Sequence, residues 1–96
     1  MIQIKRTGNG DQLEFEVLVR DANGESRHDV TMSKSTYERL MAGRHTPEAC
    51  VDAAFRFLLE REPKDSILGR FDIGVISRYF PEFERALPRY FADPGS

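Results

Sequence analysis

The chain has 96 residues, carries a formal net charge of −2, and is 40% hydrophobic and 31% charged. These proportions describe one folded domain rather than a disordered chain, able to bury roughly 60–68% of its unfolded surface in a core of its own. The slightly acidic balance gives no general attraction to nucleic acid or to an anionic membrane, and a lone cysteine, Cys50, excludes an internal disulfide.

The first stretch, MIQIKR, alternates apolar and polar residues and predicts a short strand. TGNGDQ (7–12) comes next as a turn, since its two glycines and Asn9 tolerate positive φ. LEFEVLVR (13–20) alternates strictly. Leu13, Phe15, Val17 and Val19 share one face, and Glu14, Glu16, Leu18 and Arg20 the other, which predicts a half-buried strand. Asn23-Gly24 is a hairpin signal, and RHDVTM returns as the third strand. Ser35-Thr36-Tyr37-Glu38 fits a capping box, with Ser33 as the alternative cap. Tyr37, Leu40 and Met41 give that helix an apolar stripe, and Gly43 is placed to end it.

Thr46-Pro47-Glu48 opens a second helix, with Thr46 as N-cap and Pro47 in the first turn. It is expected to run to about Glu62, where Pro63 stops it. At 100° per residue, Phe57, Cys50, Ala54, Leu58, Val51, Phe55 and Leu59 cover about half the circumference or more. Glu48, Asp52, Arg56 and Glu60 fill the remaining stripe at i, i+4 spacing. So wide an apolar arc needs cover from two sides: the sheet on one, and either the C-terminal helices or a second subunit on the other. KDSILGRFD reads as a single helical turn ended by Gly69, with Asp72 placed to cap the next helix. Ile73, Ile76, Phe80, Phe83 and Leu87 then recur at helical spacing. Pro81 interrupts them, which predicts two short helices, about 73–79 and 81–88, sharing one apolar face. The expected architecture is a single α+β domain over 1–96. An N-terminal antiparallel hairpin or three-strand meander (1–32) packs against four to five short helices (33–91), ahead of a flexible tail (92–96).

The order strand, helix, helix over residues 27–62 is that of ribbon-helix-helix DNA-binding dimers. In that reading Arg27 and Thr31 on strand 27–32 are the candidate DNA contacts. Asp29 lies between them, however, and residues 33–96 hold ten Lys/Arg against ten Asp/Glu, so no basic rim accompanies the organisation. Nucleic acid is therefore disfavoured as a partner, and the DNA-binding regulator is the alternative reading.

Catalytic chemistry has few candidates. His28, His45 and Cys50 are the only soft ligands and lack a metal-site spacing. Cys50 lies within an apolar helix pattern, which predicts a buried thiol rather than a nucleophile paired with His45. Glu48 and Asp52 are carboxylates one turn apart, better explained by the helix N-terminus than by acid–base work. Arg78, Arg85 and Arg89 form a candidate anion patch, but Glu82 and Glu84 lie among them, so intrahelical pairing is the expected use. No catalytic, metal or cofactor site is expected. The aromatic run YFPEF makes Tyr79, Phe80, Phe83 and Leu87 the candidate interface residues, for a protein partner or a second copy, with burial in the chain's own core as the competing reading.

FRFLLEREPKDSILGRFDIGVISRYFPEFE (55–84) resembles a group of small uncharacterised bacterial proteins. These carry a similar helix, a Glu-Pro stop and a YFPE segment after an N-terminal hairpin. The resemblance covers most of the chain from about residue 13 and implies a bacterial, cytoplasmic protein, with no implication for activity. A cytoplasmic location is also the expectation from the missing disulfide, from an N-terminus without an apolar signal region, and from the lack of any run near the ~18 apolar residues of a membrane helix. Together these readings predict a non-enzymatic interaction or self-association module.

Overall fold

The structure, a computed structural model, describes residues 1–41 and 44–91. Three long strands come first: β1 (Ile2–Asn9), β2 (Gln12–Asp21) and β3 (Gly24–Ser33). Two helices succeed them, α1 (Lys34–Met41) and α2 (Pro47–Leu59). A 3₁₀ turn at Lys64–Ser66 leads to a fourth strand, β4 (Arg70–Asp72). The chain then passes through a 3₁₀ turn (Ile73–Val75) into α3 (Ile76–Tyr79), and through α4 (Phe83–Ala86) into a final 3₁₀ segment (Leu87–Phe91). The sheet order is β1-β2-β3-β4, an antiparallel meander with β4 added parallel to β3. The fold is α+β, and no helix among the described residues is long and apolar enough to cross a membrane.

Alternation decides which sheet face is covered. Residues paired across strands share a face, so Arg6, Phe15, Val30 and Phe71 form one inner row, and Ile4, Val17 and His28 the next. The β2 and β3 residues of these rows are at most 2% exposed. The outer face carries rows such as Lys5, Glu16, Asp29 and Arg70, in which Lys5 stands opposite Glu16 and Arg70 opposite Asp29, flanking the like-charged Glu16–Asp29 pair. A one-residue slip would bury that row, so the register is strongly specified.

The turns sit slightly apart from their expected places. The β2–β3 loop is Ala22-Asn23, since Asp21 pairs with Gly24. Asp21 Oδ1 accepts the Asn23 N–H at 2.8 Å, and Gly24 begins β3 at φ +125°, a conformation that suits glycine. The expected turn at 7–12 shrinks to Gly10-Asp11, because β1 continues to Asn9 past an irregularity between Arg6 and Gly8. Ser33, not Ser35, caps α1: its Oγ accepts the Thr36 N–H at 3.1 Å. Gly43, the expected helix end, and the tail 92–96 lie outside the described residues.

Helix α2 begins as predicted, with Thr46 Oγ1 accepting the Ala49 N–H at 3.1 Å and Pro47 at the first position. It ends at Leu59, three residues before the expected stop. The N–H groups of Arg61 and Glu62 both close on the Leu58 carbonyl, at 2.9 and 2.8 Å, ahead of Pro63. The wide apolar arc of α2 is covered within the chain. Phe55 packs toward the sheet, against His28 and Phe71. Phe57 packs the other way, edge-on to Phe80, Phe83 and Tyr90. The C-terminal segment therefore supplies the second layer over α2.

The one element that sequence periodicity misses is β4. KDSILGRFD divides into the turn at Lys64–Ser66 and a three-residue strand. Asp72 caps the next turn as expected, accepting the Gly74 N–H at 2.8 Å. The Pro81 break also falls where predicted, with Phe80 at φ −131° ending α3, although α4 starts at Phe83.

Candidate functional site

The residues with intrinsic chemistry are dispersed and engaged structurally. His28 is 2% exposed and bridges two elements. Its Nδ1 lies 2.8 Å from the Leu68 carbonyl, which only accepts, so Nδ1–H donates there and Nε2 accepts the Ser26 hydroxyl at 2.8 Å. His45 lies on the surface, stacked on Phe91 at 4.1 Å between ring centroids. Cys50 is fully buried, with Sγ 3.8 Å from Met32 Sδ. Burial pushes its thiol pKa up to about 12, so no thiolate nucleophile exists near neutral pH. A thiol-reactive disulfide reagent is expected to leave the native protein unlabelled at mildly alkaline pH and to label one site per chain in urea. Rapid native labelling would show that α2 does not turn Cys50 to the core. Among the described residues, no group of three or more His, Cys, Asp or Glu is arranged to hold a metal ion.

The paired carboxylates of α2 are also occupied. Asp52 pairs with Arg56 at 3.0 Å. Glu48 reaches across to β1 and accepts from Arg6 at 2.5 Å. Arg6 lies on the covered sheet face by register, so its stem packs inward while its guanidinium turns to Glu48 and to Asn9 Oδ1. Among the described residues its Nε has no partner. The hydrogen bond from Arg6 holds the Glu48 carboxyl below the usual range, against opposing desolvation. A depressed folded-state value means that the contribution is present above the unfolded pKa and is lost as pH falls through the folded one. Glu48→Gln should therefore flatten the acid side of the stability curve, measured as urea midpoints from neutral pH to about pH 3. An unchanged slope would show that the pair contributes nothing.

The candidate DNA contacts share the outer sheet face on either side of Asp29. Arg27 is exposed on the outer sheet face, but the Thr31 hydroxyl is committed to Asp72 Oδ1 at 2.7 Å. Strand β3 is hydrogen-bonded to β2 along one edge, and on the other β4 takes up Asp29, Val30 and Thr31, the middle of the stretch that a ribbon would pair with a second chain. Among the described residues, the arginines of the C-terminal helices do not pair with Glu82 and Glu84, the use expected of them. Arg78, Arg85 and Arg89 are exposed and make no ion pair among the described residues, while Glu84 is taken by Arg39 and Ser77.

The candidate interface residues divide into two groups. Phe83 and Leu87 are each 1% exposed and pack into the core, so they offer no surface to a partner. Tyr79 is 70% exposed and Phe80 half-buried, and both line a cleft of about 220 Å³. Its floor and walls come from four places. Leu58 stands in the last turn of α2 and Glu62 just beyond it, Ser66 to Leu68 leave the 3₁₀ turn, Phe71 lies on β4, and Val75 and Ile76 lead into α3. Leu68 stands at the rim, 53% exposed. The His28 ring holds the Leu68 carbonyl, and the Asp29 N–H donates to the Gly69 carbonyl at 2.8 Å, so the rim is anchored to β3. Leu68, Phe71 and Val75 escape sequence reasoning; their one signal is a leucine next to a glycine in ILGRF.

A second depression of about 340 Å³ lies near the β2–β3 hairpin, bordered by Arg20, Asp21, Asp65 and Lys64. Lys64 is 4% exposed, with Nζ 3.1 Å from Asp21 and 3.8 Å from Asp65, so its charge is already matched inside the chain. The Asn23 N–H and then Lys64 hold the Asp21 carboxyl below its ordinary range. This is a structural ion cluster that pins the 3₁₀ turn to the hairpin.

No protein-family model, curated protein or solved structure matches the chain.

Proposed function

We propose that this chain is a non-enzymatic interaction module whose contact surface is the apolar cleft between α2, β4 and α3. The observation that carries the reading is the pair Leu68 and Tyr79, 53% and 70% exposed on a cleft whose other lining includes Phe71, Val75, Ile76 and Phe80. Scattered exposed apolar residues are ordinary, whereas two large ones flanking a shaped apolar concavity are the pattern of a recognition site. The buried free thiol and the resemblance of residues 55–84 support a bacterial, cytoplasmic setting. The inaccessible Cys50 and internally paired His28 favour binding over catalysis.

The test is site-directed photo-crosslinking in cells. p-Benzoylphenylalanine at position 68 or 79 should capture a discrete protein or a second copy of the chain, and at position 27 on the outer sheet face it should not. Tyr79→Ser should abolish capture from position 68 while changing stability by no more than about 0.5 kcal/mol, as exposed substitutions do. Light scattering at low micromolar concentration then separates self-association from a foreign partner. Equal capture from all three positions, or none from 68 and 79, would remove the cleft from consideration.

A further inference from the structure

We infer that the occupant of this cleft is an extended peptide of a partner protein, added as a fifth strand beside β4, with an apolar anchor and a lysine or arginine two residues away. The inference rests on the cleft being the contact surface and specifies what fills it.

The backbone of β4 carries the first part. Strand β4 is the last in the sheet, so one of its edges has no strand paired to it among the described residues. Asp29 pairs with Arg70 and Val30 with Phe71, and the Asp29 N–H donates to the Gly69 carbonyl. Residues 69 and 71 thus direct their backbone groups to β3. Alternation then turns the N–H and C=O of Arg70 away from the sheet, toward the open edge. Those two groups can exchange hydrogen bonds with an incoming strand.

The side chains carry the second part. Phe71 projects to the covered face and lines the cleft, whereas Arg70 projects to the outer face beside Asp29. A strand laid along this edge sends alternate side chains to the Phe71 side, directly over the cleft. One large apolar side chain would enter between Leu68, Val75 and Tyr79. The next residue on that face lies roughly 7 Å along. Glu62 is the one charged side chain in the cleft wall, and among the described residues it forms no ion pair, its neighbours Arg61 and Lys64 being taken by other carboxylates. Charge complementarity therefore selects a cation at i+2 or i−2 from the anchor. The opposite sheet edge lacks these features. Strand β1 is irregular at Arg6–Gly8, and Arg6 is tied to Glu48.

The probe is the end-blocked pentapeptide Lys-Thr-Leu-Thr-Lys, which presents a cation on either side of the anchor and so serves both strand directions. It is titrated at millimolar concentration into the full-length ¹⁵N-labelled protein. The expected result is saturable shifts confined to residues 62–80 and about tenfold slower hydrogen exchange at the Arg70 amide. N-methylation discriminates strand pairing from simple apolar contact. In an antiparallel pairing the two threonines, on the outer face with Arg70, direct their N–H groups to β4; in a parallel pairing the leucine and lysines on the Phe71 face do. Methylating the threonine nitrogens or the leucine nitrogen should therefore weaken binding about tenfold or more in one case and leave it unchanged in the other, and which one is sensitive reports the strand direction. Replacing both lysines with glutamate should weaken binding to the natural chain, and Glu62→Gln should narrow that difference. The proposal is overturned if no residue in 62–80 responds, if the threonine and leucine N-methylations are both tolerated or weaken binding equally, or if charge reversal has no effect. The crosslinking experiment separates the two levels. Capture from positions 68 and 79 without pentapeptide binding refutes the added strand and leaves the cleft as the contact surface. Failure of both removes the cleft as well.

Discussion

Phe57→Ala should lower the free energy of unfolding by about 3–5 kcal/mol, a large part of the 5–15 kcal/mol typical of a domain this size. Phe57 is fully buried and is the point where α2 meets the C-terminal segment. Its ring receives Phe83 at 5.1 Å, Phe80 at 5.7 Å and Tyr90 at 6.1 Å, all near edge-on. On another side the Arg61 guanidinium lies 3.6 Å from its centroid, held there by Glu82 at 3.5 Å and by its own contact with the Phe57 carbonyl. Truncation removes the transfer energy of the ring and leaves a cavity that four neighbours cannot all fill. Urea unfolding followed by far-UV circular dichroism measures the loss. Tyr90→Phe is the comparison, since it keeps the ring and removes only the hydroxyl contacts to Glu60 and Arg61. Its cost should be nearer 1 kcal/mol. A loss below about 1 kcal/mol for Phe57→Ala itself would mean that residues 80–91 do not form the second layer over α2.

The second large effect is expected at His28. His28→Leu keeps an apolar bulk on the inner sheet face but leaves the Leu68 carbonyl and the Ser26 hydroxyl without the ring between them. Orphaned groups of this kind cost about 1–3 kcal/mol, and for a domain of this length each kcal/mol lowers the thermal midpoint by roughly 4–8 °C. The effect should be local as well as global. The hydrogen bond from Asp29 to Gly69 lies next to the lost contact, so its amide should exchange faster than amides on the β2–β3 ladder. His28→Gln, which can still donate to the Leu68 carbonyl, should recover part of the loss. Because Leu68 forms the cleft rim, His28→Leu should also reduce crosslinking from position 68. A uniform change in exchange across the sheet would assign His28 to general packing instead.

These two residues show how differently the sequence speaks about two halves of the chain. Phe57 is visible as core from its place in a helical stripe with an explicit N-cap. Its neighbours Phe83 and Leu87 are visible as one apolar face. Spacing leaves open whether that face meets α2 or a second subunit, because both give the same periodicity. His28 is visible only as a polar residue on an alternating strand. Its two partners, Ser26 and the Leu68 carbonyl, include one forty residues away, and no local pattern encodes such a contact.

The sequence by itself determined the elements whose signals are short-range. Period-two alternation set β2 and β3 and the faces they present. Thr46 and Pro47 set the start of α2, and Pro81 set the break after α3. Each depends on residues within a turn or a hairpin of one another, where sterics and capping act without the rest of the fold. Tertiary structure alone decided the rest. Arg70–Asp72 is too short for any period to declare it, and it is a strand because β3 had an unpaired edge and the crossover through α1 and α2 brings the chain back to it. That pairing places Leu68 and Phe71 opposite Tyr79 and Phe80, and it creates both the cleft and the open edge beside it. The exposure of Tyr79 beside the burial of Phe83 arises from the same event. Burial is a property of what packs across a residue, and in this chain the packing partners are distant in sequence.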